Sequence, residues 1–198
     1  MVADIGDGQT AILRFFDPRN LAATLSVLDA GTRERMLRPI LFWHYRDQEG
    51  KTVRINGGIN GSTVPLESPP VVLGPQQLEA LNTHSEPSQL LSTLVNDGEV
   101  DGSRRFRERF AEFLPRFRRA VEWGLAEPAD RLRFCHRSYA YGAQFDRHPQ
   151  VAAVLEQRKR TGEPLADCLE RVPARIWDEL SAAVAHSRPA AEAGPPAL

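Results

Sequence analysis

Apolar positions change rhythm along this chain. Up to Asn56 they come in short dense runs, Ala11-Ile12-Leu13-Arg14-Phe15-Phe16, then Ile40 to Tyr45, then Thr52 to Ile55. Runs of β-branched, aliphatic and aromatic residues predict strands over 11–16, 40–45 and 52–55, the last two joined as a hairpin through Asp47-Gln48-Glu49-Gly50. Between the first two strands Leu21, Leu25 and Leu28 recur at helical spacing, which predicts a helix over 18–28 and a second, short one near 32–37. Asp17-Pro18 is the start signal of the first helix. The carboxylate can accept from free backbone donors of the first turn while proline fixes φ there, a cap worth about 1 kcal/mol.

From Asn56 to Pro75 the chain is rich in Gly, Pro, Asn and Ser, and Asn56-Gly57, Asn60-Gly61 and Pro69-Pro70 mark turns, so a long connection is expected. The pattern after it is helical throughout, with helices predicted over 75–81, 87–96, 103–124, 128–141, 149–161, 164–172 and 173–186. Several open on a proline in the first turn, where its missing N–H costs nothing. The Ala- and Pro-rich stretch 187–198 is expected to be disordered. The fold class is therefore α+β: a small mixed lobe over 1–60 with a few strands and short helices, a connection over 61–75, and an all-helical lobe over 76–186.

In the helix from Ser103, Phe106, Phe110, Phe113, Phe117 and Val121 fall on one stripe, with Pro115 expected to kink it. Each buried Phe contributes roughly 1.5 to 3 kcal/mol. Arg104, Arg105, Arg107, Arg109, Arg116, Arg118 and Arg119 fill the rest of the circumference, offset by Glu108 and Glu112. Spread around the helix in this way they read as a solvated face more than as a strip for nucleic acid.

Composition narrows the function classes. With 198 residues, 41% apolar and 26% charged, the chain has the make-up of an ordinary globular protein. A formal net charge of −1 gives no general attraction to nucleic acid or to an anionic membrane. No stretch has the length and apolarity of a membrane span and no leader is legible, which points to the cytoplasm. Cys135 and Cys168 stand far apart without a ligand-spaced partner, so they read as buried thiols. The five histidines, His44, His84, His136, His148 and His186, contain no pair at helical metal spacing. Gly57-Gly58-Ile59-Asn60-Gly61-Ser62 lacks the spacing of a phosphate loop or dinucleotide fingerprint. No metal or cofactor is therefore expected. His44, Tyr45, Arg46 and Asp47 set acid, base and phenol side by side, but alternate faces of a strand keep them apart. An enzyme, for example a small hydrolase, would need Asp17, His44 or Asp146 brought together by tertiary folding.

The residues Arg14-Phe15-Phe16-Asp17-Pro18-Arg19, followed by Arg38-Pro39-Ile40 with Trp43 and a charged turn, carry a family likeness. They resemble the middle of the type VI secretion effector-chaperone and adaptor family (domain of unknown function 4123). That family's domain has an Arg-Phe-Tyr/Phe-Asp-Pro-Arg strand end, two short helices and a Gly-Pro-Ile lead into an aromatic strand. Arg38 stands where glycine is common. Further on, Tyr141 to Pro149 followed by the apolar residues 151–155 resembles the family's helical half. Members carry a sizeable region ahead of the Phe-Asp-Pro-Arg block, where this chain has only residues 1–10, so an incomplete first sheet with an open edge strand is expected.

The resemblance implies a non-enzymatic adaptor, without cofactor, that binds a secreted effector in the bacterial cytoplasm and helps load it onto the valine-glycine repeat spike protein. Such a protein needs an apolar groove or an open sheet edge. The aromatic strand, Phe42, Trp43 and Tyr45, is the candidate partner-binding element, with a groove expected near residues 56–75.

Overall fold

The computed structural model describes residues 2–14, 16–58 and 71–187. The chain forms two compact units, the first from Met1–Gln89 with Arg105–Ala111, the second from Leu90–Arg104 with Glu112–Leu198. Strands gather in the first and helices fill the second, an α+β layout.

In the first unit, β1 (Val2–Gly6) and β2 (Gln9–Ile12) form an antiparallel hairpin with Val2 opposite Ile12 and Asp4 opposite Thr10. The turn uses the left-handed region at Gly6, Asp7 and Gly8 (φ 93°, 50° and 72°), which glycine reaches without strain and aspartate tolerates. β5 (Val71–Val72) pairs parallel to β1, giving the order β2-β1-β5. The strand expected over 11–16 therefore ends at Ile12, and its partner lies in the ten residues ahead of it. Phe15 lies outside the described residues, as do 59–70, most of the expected connection.

The inward face of this sheet closes on Ala3, Leu13, Leu28, Val71 and Leu73, with Ile5, Val27, Met36, Leu78 and Leu81 against them. The second sheet, β3 (Phe42–Arg46) with β4 (Thr52–Asn56), pairs Trp43 with Ile55 and Tyr45 with Val53. That face packs on Leu21 and Leu25 of α1 (Leu21–Val27), and on Met36 and Leu37 of α2 (Ala30–Leu37), so Met36 joins the two clusters. Asp29 caps α2, its carboxylate accepting from the Thr32 N–H at 2.9 Å. Gly57 is required by packing: a Cβ there would sit 1.6 Å from the Ile40 carbonyl oxygen.

α1 starts three residues later than the sequence pattern suggests. Residues 16–20 are turns, Asn20 stands at the N-cap with no side-chain bond, and Asp17 does not cap the helix. Its Oδ1 accepts from the Arg19 N–H (3.0 Å), and the Arg19 guanidinium grips the same carboxylate at 2.6 to 3.1 Å. A short side chain that bonds the backbone two residues on holds a turn open against helix, and this is what displaces the start.

α3 (Pro75–Asn96) is one helix where two were expected, with Pro87 inside it. Proline removes one N–H from the ladder, and the buried Leu90, Leu91 and Leu94 hold the continuation in place. α4 (Phe106–Glu122) likewise runs through Pro115. Its stripe turns: Phe110, Phe113 and Ala120 are buried, whereas Val121 is 51% exposed. An α-helix drifts against a strict repeat of threes and fours, so by the last turn Ala120 has taken the inward position.

The second unit packs α5 (Pro128–Ala140), a 3-10 turn (Phe145–Arg147), α6 (Pro149–Thr161), α7 (Leu165–Glu170) and α8 (Ala174–Ser187) around Phe134, Phe145, Val151, Leu155, Leu165 and Leu169. Two buried carboxylates tie it together. Asp146 accepts from Trp123 Nε1 (2.7 Å) and Arg119 Nε (2.6 Å). Asp130 accepts from Arg158 Nη2 (3.1 Å) and from the Leu165 N–H (3.1 Å), while Arg158 also donates to the Gly124 carbonyl (2.9 Å). Prolines open α5 and α6 as the sequence predicts, and Gly162 in the left-handed conformation (φ 71°) ends α6.

Candidate protein-binding surface

The three aromatic residues singled out from the sequence do not share a face. Alternation along β3 turns Trp43 and Tyr45 inward against Leu21 and Leu25, with Tyr45 only 9% exposed, and turns Phe42 outward at 48%. Burial pushes the Tyr45 phenol up from its ordinary value. Phe42 lies beside His44 (ring centroids 5.2 Å apart) under the Arg54 guanidinium at 5.1 Å, and Leu41 next to it is also exposed. Of the aromatic strand, Phe42 alone is available to a partner.

A larger apolar surface lies on the other sheet. The register places Val2 opposite Ile12 and Asp4 beside Val72, so Val2, Ile12 and Val72 come to the outer face together, 58, 74 and 67% exposed. β2 is paired with β1 on one side and with no other strand among the described residues. Where β2 ends, a cleft of about 190 Å³ opens between Ile12, Leu13 and Arg14 and the residues Thr24, Leu81 and His84. Ile12 thus belongs to both the sheet face and the cleft. The cleft's far wall is fixed by hydrogen bonds: the Arg19 carbonyl accepts from Gln48 Nε2 (3.0 Å) and lies 3.0 Å from His84 Nε2. The pattern of β1 was the missed signal. Val2, Asp4 and Gly6 alternate with Ala3 and Ile5, ahead of the hairpin signal Asp7-Gly8.

The three residues named above for a hydrolase have the following surroundings. Asp17 is held by Arg19, whose guanidinium keeps its carboxyl below the usual range. His44 lies with Phe42 on the outer face of the hairpin, and Asp146 is 1% exposed beneath Trp123 and Arg119. Among the described residues no three His, Cys, Asp or Glu side chains gather as a metal site. Cys135 and Cys168 are buried and form no disulfide, and burial pushes the Cys168 thiol up. Several arginines of the α4 region are paired: Arg104 and Arg116 with Glu112, and Arg119 with Asp146 and Glu122. No helix of the described residues is long and apolar enough to cross a membrane.

The chain matches no protein-family model, no curated protein and no solved structure.

Proposed function

We propose that this chain is a cytoplasmic adaptor that holds another protein on the outer face of its β2-β1-β5 sheet, in the manner of the type VI secretion effector chaperones that residues 14–19 and 38–46 resemble. Its partner is then a secreted effector, carried to the valine-glycine repeat spike. The observation that supports the reading is the apolar trio Val2, Ile12 and Val72 standing exposed on one face of the β2-β1-β5 sheet, in which β2 pairs with β1 alone among the described strands. Fully covering one such side chain is worth about 1.5 to 3 kcal/mol, and association costs roughly 4 to 15 kcal/mol. The trio together supplies about as much as association costs, so by itself it leaves little surplus for binding. An extended segment laid along β2 adds main-chain hydrogen bonds and reaches the cleft behind Ile12, the mode of β-strand addition. The engagement of Asp17, His44 and Asp146 in structural contacts favours this reading over a hydrolase.

The test is co-expression with the protein encoded beside its gene, followed by size-exclusion chromatography of the tagged pair. Co-elution at a fixed ratio is expected, and Ile12→Lys should abolish it while leaving the circular-dichroism melt unchanged. Separate elution of two folded proteins, or full binding by the Ile12→Lys variant, refutes it.

A further inference from the structure

The helical unit carries a second cleft, of about 320 Å³, between α5, α7 and the start of α8. Leu169 and Val172 lie at its base, almost wholly buried, and the half-buried Trp177 forms one wall. Arg133 and Arg137, on successive turns of α5, both line it. Arg137 is held in place: its Cζ lies 5.1 Å from the Trp177 ring centroid and 5.5 Å from that of Tyr141, and it donates to the Tyr141 hydroxyl at 3.2 Å. Arg133 is exposed and makes no hydrogen bond or ion pair among the described residues. Glu170 is the single acidic side chain in the lining, so the cleft has an excess of positive charge.

We infer that this cleft docks an acidic segment of a partner protein, in which a carboxylate side chain stands next to an aliphatic or aromatic one. The carboxylate meets Arg133 and the stacked Arg137, and the apolar neighbour lies against Trp177. Charge complementarity selects the acidic residue, and a fixed, planar guanidinium suits two-pronged pairing with a carboxylate. The exposed Arg133, Glu170 and Ala174 at the rim leave the cleft open to the side, which fits part of a longer chain better than an enclosed small molecule. The site lies in the second unit and does not depend on the sheet-face reading.

The probe is a fluorescein-labelled, C-terminally amidated peptide, Gly-Asp-Leu-Phe-Asp-Gly, titrated with the full chain and followed by fluorescence anisotropy. Saturable binding is expected. It should weaken by about tenfold on replacing both Asp by Asn in the peptide, and by a similar factor in Arg133→Glu. Arg133→Lys should retain part of the affinity, and Glu170→Gln should tighten binding by removing a like charge. Equal affinity for the Asn peptide, no effect of Arg133→Glu in a chain with an unchanged melt, or no saturation at millimolar peptide overturns the inference. Phenylacetate competing as well as the peptide also overturns it, by assigning the cleft to a small carboxylate.

Discussion

Removing the Asp146 carboxylate takes away one of the two buried carboxylates that tie the helical unit together. Asp146 is 1% exposed and accepts from Trp123 Nε1 and Arg119 Nε. In Asp146→Ala the buried indole N–H has no acceptor, which costs about 1 to 3 kcal/mol. The Arg119 guanidinium loses its partner as well, but it is 36% exposed and water covers part of that loss. With the void left by the side chain, the total approaches the roughly 3 to 5 kcal/mol typical of breaking a buried charged pair. Asp146→Asn keeps one acceptor and gives up the charge, so it should cost less, about 1 to 2 kcal/mol. Arg119→Ala leaves the buried carboxylate with its bond from Trp123 but without its cation, so it should cost more than Asp146→Asn. Urea unfolding followed by circular dichroism gives all three values. The expected order of loss has Asp146→Ala worst, Arg119→Ala intermediate and Asp146→Asn mildest. A loss below about 1 kcal/mol for Asp146→Ala, the level of an average substitution, would refute the argument that this carboxylate organises the unit.

Three further predictions concern the same unit. Phe113 is fully buried and Val121 half-exposed, so Phe113→Ala should cost about 3 to 5 kcal/mol in urea unfolding and Val121→Ala no more than about 0.5; comparable losses would restore the straight stripe. Glu163 is gripped by Arg171 at 2.6 and 2.7 Å, which holds its carboxyl down at about 2. Because the folded value is depressed, this pairing supports the fold above the ordinary 4.5 and its contribution fades as pH falls toward 2. Carboxyl-carbon NMR should follow the titration, and a midpoint at 4.5 in the intact protein would contradict it. Burial pushes the Tyr139 phenol up to about 12. Its contribution to stability is full below the ordinary 10.0 and is lost as pH rises toward 12, so ring-carbon NMR should show Tyr139 still protonated at about pH 11; ionisation at the ordinary value would contradict its burial.

What the sequence made legible were features written in neighbouring residues. The pairing of β3 with β4 follows from two dense apolar runs around a charged turn, and α5 and α6 from prolines in first turns ahead of helical periodicity. The two-residue strand β5 has no such local signature, since Val71-Val72 becomes a strand only because β1 lies beside it. Pro87 misled in the opposite direction: a residue that usually ends a helix cannot do so when Leu90, Leu91 and Leu94 are anchored in the second unit. Asp17 satisfied the rule for a cap and was claimed by Arg19, a choice between two local bonds that composition does not decide. The candidate surface was hidden for a related reason. Val2, Ile12 and Val72 are ordinary strand residues one at a time, and they become a patch only through the order β2-β1-β5.

Hydrogen exchange on the chain mixed with the protein encoded beside its gene tests the central claim most directly. Deuterium uptake is compared, peptide by peptide, for the chain alone and the chain with its partner bound. The account predicts protection at residues 2–14 and 71–72, strongest along β2, with the outer face of β3 little changed. Protection confined to the β3-β4 hairpin around Phe42, with β2 exchanging as fast as in the free chain, would contradict it.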